Sequence, residues 1–405
     1  MQVQVTNPTD RPFDEKALVY PAHTVSGYGH IYSLGRAGVP VTSVETGKAS
    51  RFRSRYVREA LVSPNPDTAP DAFIEWLVAY GKGQTRRSVL FMAEDRYAYL
   101  ASVYREQLEP YFDYPYIDRD ALPTFFSKDS MYEAARHAGF DVPVTVYSPL
   151  SATRVSDLRY PVVVKPLISR FSVGAHGVLD TATFPELYGG KALLVESPRE
   201  VLARADDLAR NGIGFCVQEF VPGENVNIAN VKMVADRDHE VPACFTSRKI
   251  RQQPADFGTC SVARAEVIPE LEQLVRAFVK ATEYTGPCCF EFKRSERDRR
   301  WYFIEMNPRL DYFVVMATLN GVNLPLQQYL LSTDRPLKPF RQRRRAPYWI
   351  DLPGDVQGFR WRRQHPGWPI GLGEFLRPYV WFHEASLRAA DPRPGLRRLR
   401  SWLRR

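Results

Sequence analysis

Two short segments near residue 300 constrain this chain more than anything else in it. Cys288-Cys289-Phe290-Glu291-Phe292-Lys293 is followed by a charged turn and then by Trp301-Tyr302-Phe303-Ile304-Glu305-Met306-Asn307-Pro308-Arg309. Aromatic and apolar residues on either side of a Ser/Glu/Arg/Asp loop predict a β-hairpin. Side chains alternate faces along a strand, so Glu305, Asn307 and Arg309 are expected on one face. A hairpin folded about Asp298 sets Glu291 directly opposite Glu305. Like charges facing each other across a strand pair are destabilising. Two carboxylates and an amide oxygen on one face therefore suggest a hard cation between them. Mg²⁺ suits such a set, because it takes a few protein oxygens and completes its octahedron with water and phosphate; Mn²⁺ is an alternative. The competing reading is a solvated hairpin face that holds no ligand.

The segment Glu305-Met306-Asn307-Pro308-Arg309 resembles the metal-binding end of ATP-grasp enzymes, with Glu291 where their first metal carboxylate belongs. Tyr160-Pro161-Val162-Val163-Val164-Lys165-Pro166 is similar to their strand carrying a phosphate-contacting lysine. Gln218-Glu219-Phe220-Val221-Pro222-Gly223-Glu224 is similar to their adenine-and-ribose segment. Ser127-Lys128-Asp129 resembles the start of their central subdomain. These segments fall in the family's order over roughly residues 120–330, nearest to the carbamoyl-phosphate-synthetase-like and carboxylate–amine ligase branches. The resemblance implies ATP and Mg²⁺, with Glu291, Glu305 and Asn307 on the metal. It implies Lys128 and Lys165, with Lys249 or Arg251, on phosphate oxygens. Glu219, Phe220 and Val221 would meet adenine, Glu224 the ribose, and Arg309 the acyl phosphate. Lys249 and Arg251 come from a cationic stretch, Thr246 to Pro254, and are expected on one strand face. Glu291 stands where the carbamoyl-phosphate-synthetase-like branch often has Gln. Asp311-Tyr312 departs from the biotin-carboxylase pattern, which weighs against bicarbonate fixation.

The resemblance implies an α/β chain in four parts. Residues 1–120 read as a Rossmann-like parallel-sheet domain, 121–215 as a small α/β lid, 216–334 as an antiparallel-sheet catalytic subdomain, and 335–405 as a basic C-terminal extension. Strand–helix alternation in the first part, with strands at Ala17–Pro21, Val39–Val44 and Ser88–Met92, independently predicts a parallel sheet. Ser26-Gly27-Tyr28-Gly29 is expected in a loop, and without a third glycine it is an incomplete dinucleotide fingerprint. Pro166 is expected to stop the lysine strand. The stretch from Leu167 to Gly177 is expected to be a phosphate-covering loop, its glycines letting backbone N–H groups approach closely.

The net charge of +9 is unevenly spread: from Pro336 on there are sixteen Lys/Arg against five Asp/Glu, leaving about −2 on the rest. Leu396, Leu399, Trp402 and Leu403 would share one face of a terminal helix ringed by arginine. That pattern suits either an anionic membrane surface or packing of the leucines on the body. Nucleic acid is not expected, since no reader motif accompanies the basic and aromatic residues. Five cysteines with no Cys-x-x-Cys spacing predict buried thiols in a reduced compartment. No secretion signal or ~18-residue apolar run is visible. The expectation is a cytoplasmic enzyme, with peripheral contact at the inner membrane face as an option. Its reaction would be ATP-dependent amide formation between a small or lipid-linked carboxylate and an amine or amino acid, through an acyl phosphate. The alternatives are an ATP-grasp carboxylase or carbamoyl-phosphate-type activator, and a non-catalytic nucleotide-binding or membrane-surface scaffold.

Overall fold

A computed structural model of the chain describes residues 13–47, 54–168, 172–173, 179–180, 184–255, 257–343, 347–364 and 370–404. The central strands of the first sheet, Ala17–Tyr20 and Ser88–Met92, are short and wholly buried, as in a parallel sheet covered by helices. β1 (Ala17–Tyr20), β2 (Val41–Thr46), β3 (Val57–Ser63), β4 (Ser88–Met92) and β5 (Phe112–Asp113) pair in the order β3-β2-β1-β4-β5, all parallel. Helix α1 (Val25–Arg36) follows β1 and is capped by Thr24, whose Oγ1 accepts from Gly27 N. The Ser26–Gly29 segment thus lies inside the helix and not in a loop. Its glycines serve close packing: a Cβ on Gly27 would sit 2.1 Å from the Pro21 carbonyl oxygen, and one on Gly29 2.7 Å from Val314 Cγ1. Helices α2 (Pro70–Lys82) and α3 (Asp95–Val103) complete this unit.

Helix α4 (Lys128–His137) buries Met131, Tyr132 and Ala135 and leads to a four-stranded antiparallel sheet. Its strands are β6 (Thr145–Tyr147), β7 (Val162–Pro166), β8 (Leu193–Val195) and β9 (Phe215–Glu219), in the order β8-β7-β9-β6. β7 ends at Pro166, as expected, although Pro166 itself still pairs with Phe215. The glycines at 174 and 177 and His176 lie outside the described residues.

The third sheet carries the hairpin. β10 (Ile228–Ala235), β11 (Cys244–Gln253), β12 (Thr259–Ala265), β13 (Gly286–Arg294) and β14 (Trp301–Asn307) pair antiparallel. One face is covered by α5 (Pro269–Thr282), which starts on Pro269 with Glu270 and Glu272 in its first turn and ends at Glu283 in the left-handed region. Leu271, Val275, Phe278 and Val279, at helical spacing, are its buried stripe. Phe278, Phe140, Phe290, Phe292 and Phe303 form one aromatic cluster, with Phe278–Phe290 edge-on at 5.2 Å. Each such ring contributes about 1.5–3 kcal/mol by burial.

Residues after 335 are not a detached appendage. Strands β15 (Tyr348–Ile350) and β16 (Phe382–Glu384) extend the same sheet, giving the order β14-β13-β10-β11-β12-β15-β16. Trp349 is fully buried. Helix α6 (Leu352–Gln364) packs beside β11 and β12. The terminal helix α7 (Pro392–Leu403) docks through buried Pro394 and Gly395 and through Arg398, which reaches Asp351 at 2.5 Å and Glu384 at 3.3 Å. Leu396 and Leu403 are exposed while Leu399 and Trp402 are half-buried, so the leucine side is only partly docked.

Candidate active site

The hairpin meets its expected pairing by an unexpected route. Arg294↔Trp301, Lys293↔Tyr302 and Phe292↔Phe303 pair regularly, and then a β-bulge at Ile304 shifts the register so that Glu291 faces Glu305 and Cys289 faces Asn307. The extra residue reverses the alternation. Trp301, Phe303 and Met306 therefore face the hydrophobic core while Ile304, Glu305 and Asn307 line a cleft. Strict alternation would have put Phe303 and Glu305 on one face.

That cleft, about 220 Å³, lies between the lid sheet and the large sheet. Lys128, Lys165, Glu219, Phe220, Val221, Glu224, Lys249, Glu291, Glu305, Asn307 and Arg309 all line it. Arg251 does not. A bulge in β11 separates Lys249 from Arg251, so the two do not share a face as the sequence predicts. Arg251 instead grips Asp355 of α6 through Nε at 2.8 Å and Nη2 at 2.7 Å.

The cleft has an apolar end and a charged end. Val163, Phe220, Val221, Ile228 and Ile304 gather at one, and Lys293 Nζ stands 4.3 Å from the Phe220 ring centroid. The Glu219 side chain is turned away to accept from Arg159 N at 2.9 Å, which leaves its backbone to face a ligand. At the other end Lys249 Nζ meets Glu291 Oε2 at 2.5 Å, and Asn230 Nδ2 donates to the same oxygen at 3.3 Å. Lys165 Nζ donates to Tyr132 Oη at 3.0 Å, and Lys128 Nζ to the Leu167 carbonyl at 3.5 Å. Burial lowers the pKa of both Lys128 and Lys165. Burial would raise Glu305, but Lys128, Lys249, Lys191 and Lys165 outweigh it and hold the carboxyl at about 2. Desolvation works against Lys249 too, yet Glu291 beside it carries its pKa above the ordinary value.

Four lysines converging on two carboxylates make a site built for a polyanion and a hard cation together. The oxygen set of Glu291, Glu305 and Asn307 fits Mg²⁺ shared with phosphate. Among the described residues no group of three or more His, Cys, Asp or Glu forms a closed metal cage. All five cysteines are free and buried.

Sequence reasoning missed three members of the site. Asp95, at the start of α3, pairs with Arg309 at 2.6 Å. Lys191 reaches in beside β8, bonding Thr259 Oγ1 at 3.2 Å. Lys293 stands over Phe220. Lys293 was legible as the residue two beyond Glu291 on the same strand face, whereas Asp95 and Lys191 come from other sheets and carry no local signal.

Comparison with known proteins agrees with this geometry. Residues 227–338 match the family model of the carbamoyl-phosphate synthase L chain ATP-binding domain. D-aspartate ligase of Enterococcus faecium (strain Aus0004) is 26% identical over 320 residues, which is 73% of this chain and 72% of that protein. In fold, the chain resembles the biotin carboxylase–β,γ-ATP complex from Campylobacter jejuni (TM-score 0.60, 14% identity, 81% of this chain and 73% of that one). It also resembles the ADP complex of N5-carboxyaminoimidazole synthetase from Staphylococcus aureus (TM-score 0.62, 12% identity, 88% and 87%). With the ordered motifs, the three sheets and the converging lysines and carboxylates, the domain match and the D-aspartate ligase likeness support the carboxylate–amine ligase branch of the ATP-grasp enzymes.

Proposed function

We propose that the protein is an ATP-dependent ligase that joins a carboxylate to an amine through an acyl phosphate, releasing ADP and phosphate. The observation that carries this is the meeting of Lys128, Lys165 and Lys249 with Glu291, Glu305 and Asn307 at the charged end of a cleft whose other end is apolar. The apolar end, with Phe220, Val221 and Ile304, would take adenine, and Glu224 the ribose. A carboxylate is a poor electrophile, so its coupling to an amine requires activation. One carboxylate oxygen attacks the γ-phosphorus, the bond to the β-phosphate oxygen breaks, and ADP leaves. The amine lone pair then attacks the acyl carbon, the acyl C–O bond breaks, inorganic phosphate leaves with that oxygen, and the nitrogen gives up a proton. Transfer of this kind needs alignment and charge neutralisation more than covalent help from the protein. Mg²⁺ held by Glu291, Glu305 and Asn307, or Mn²⁺ on the same oxygens, would supply positive charge to the β- and γ-phosphate oxygens. The buried lysines hold the phosphates, and Arg309, fixed by Asp95, faces the oxyanion that forms on amine attack.

Two features favour amide ligation over carboxylation. The D-aspartate ligase match extends over most of both chains. Asp311-Tyr312 follows Arg309 where the biotin-carboxylase pattern differs. The acid would be a small carboxylate of the amino-acid class, and the amine a small or lipid-linked acceptor. A complete set of phosphate and metal groups favours catalysis over a scaffold role. A cytoplasmic site of action fits the free thiols, and among the described residues no helix is long and apolar enough to cross a membrane.

The test is isotopic. With ¹⁸O in the substrate carboxylate, one label should pass into released phosphate while ATP becomes ADP. Formation of AMP and pyrophosphate would refute the acyl-phosphate route.

A further inference from the structure

Beyond the metal carboxylates lies a second cavity of about 210 Å³, lined by Thr24 and Ser26 at the start of α1 on one part and by Asp311 and Asn230 on another. It shares Glu291, Glu305, Asn307 and Arg309 with the nucleotide cleft, so a ligand there meets the phosphate end.

Asp311 is only 6% exposed. Its Oδ2 is occupied by Lys232 Nζ at 3.1 Å and by Cys289 Sγ at 3.5 Å. Its Oδ1 has no hydrogen-bond partner among the described residues. Lys232 is fully buried and its Nζ is held by other groups as well, 3.6 Å from the Phe313 ring centroid and 3.4 Å from Ser247 Oγ. The Oδ1 of Asn230, a residue 3% exposed, is a second acceptor on the same cavity without a partner among the described residues. Buried acceptors left bare cost free energy, so a donor from outside the chain is called for. Other groups on this cavity have the opposite need. Arg309 Nε is a donor without a partner among the described residues, and the first turn of the twelve-residue α1 presents N–H groups with partial positive charge. Ser26 Oγ donates to the Asp311 carbonyl at 3.3 Å and fastens that helix start beside the carboxylate.

Bare acceptors beside donors make a lining for a zwitterion. We propose that this cavity holds the acid substrate, resting on the ligase reading above, and that Asp311 selects an amino acid by accepting from its ammonium group. A carboxylate of that amino acid lies against the α1 start and Arg309. An ammonium held as a cation has no lone pair, so the amino acid bound here is the acid partner and not the attacking amine. Asp311 is thereby a specificity-determining residue that leaves the phosphoryl chemistry to its neighbours.

The test uses the full chain with Mg²⁺-ATP and hydroxylamine, a general trap for acyl phosphates. Paired acids are compared by ADP formation: the standard amino acids, D-aspartate and D-glutamate, each against its desamino twin, such as succinate or glutarate. The expected result is an amino acid favoured over its twin by on the order of 100-fold in kcat/KM. In Asp311→Asn that ratio should fall to a few-fold, mostly through KM. Should Asp311→Asn fail to fold with Lys232 left unpaired, Asp311→Asn with Lys232→Met gives the same reading. Equal use of both twins, activity with desamino acids alone, or a folded variant that keeps the preference would overturn the proposal while sparing the ligase reading. If no acid supports ADP formation, both fall.

Discussion

Arg309 donates through Nη2 to Asp95 at 2.6 Å, tying the end of the hairpin that carries Glu291 and Glu305 to the start of α3 beside the N-terminal sheet. Both side chains are largely buried, at 14% and 13% exposure. Burial opposes the charge on Arg309, but Asp95 more than compensates and raises its pKa. The arginine is thus held charged and aimed, with Nη1 on the Leu310 carbonyl at 3.2 Å. Removing a preorganised charge donor of this type costs about 10²–10³ in kcat. Arg309→Ala should lose that much in ADP formation, and Asp95→Asn roughly tenfold, with KM for ATP little changed in either. Steady-state kinetics decide, and an Arg309→Ala enzyme within threefold of wild type would remove Arg309 from the chemistry.

Glu305 links catalysis to acid stability. Its folded pKa of about 2 lies below the ordinary 4.5, so its charge stabilises the fold fully above about pH 4.5 and progressively less as pH falls toward 2. Glu305→Gln should nearly abolish turnover if Glu305 holds the metal as proposed, and it leaves four lysines with Glu291 as the remaining carboxylate among them. It should also lower Tm at neutral pH by roughly 5 °C. The gap in stability from wild type should close as pH drops through that window. A gap independent of pH, in denaturant unfolding at pH 7 and pH 3, would contradict the electrostatic account.

Lys249 and Arg251, two residues apart, should fail in different ways. Lys249 faces the cleft, so Lys249→Ala should raise KM for ATP and lower kcat. Arg251 serves Asp355, which is 1% exposed and also bonded by Ser261 and Tyr379. Breaking one partner of a buried ion pair costs about 3–5 kcal/mol. Arg251→Ala should therefore destabilise strongly while each folded molecule keeps its turnover. Replacing both partners, Arg251→Met with Asp355→Leu, should recover much of the stability. Loss of kcat per folded molecule in Arg251→Ala would return Arg251 to the active site.

The contrast between these residues shows what a sequence exposes. A turn centred on Asp298 placed Glu291 opposite Glu305, and the pair forms because the bulge at Ile304 shifts a register that would otherwise set Glu291 against Ile304. Strict alternation failed at Arg251, where a bulge in β11 turns the chain without any glycine or proline to announce it. The parallel sheet, α5 and the cleft residues were readable because periodicity and ordered motifs are local signals. Asp95, Lys191 and the closing strands β15 and β16 were not, since their partners lie far along the chain. The glycines of α1 misled for a related reason: a small residue demanded by helix packing looks like a loop glycine when the neighbouring Val314 is unseen.

The C-terminal region sets the last prediction. Leu372, Leu376, Val380, Trp381, Leu396 and Leu403 are all exposed, Val380 at 88% and Leu403 at 74%, in the most basic part of the chain. Apolar anchors among arginines fit an anionic bilayer, each surface cation adding roughly 1 kcal/mol. Deleting α7 is the wrong test, because Arg398 neutralises buried Asp351 and Glu384 and its loss would disturb the sheet. Point changes that spare Arg398 separate the two effects. Leu396→Ser with Leu403→Ser should leave Tm and ligase turnover unchanged, yet lessen sedimentation with phosphatidylglycerol vesicles. Binding of the parent should weaken as salt rises, since exposed charges are screened within about 10 Å at 0.1 M. Equal sedimentation of parent and variant at low salt would dismiss a membrane role for these leucines, leaving α7 as the clamp that closes the sheet through Arg398.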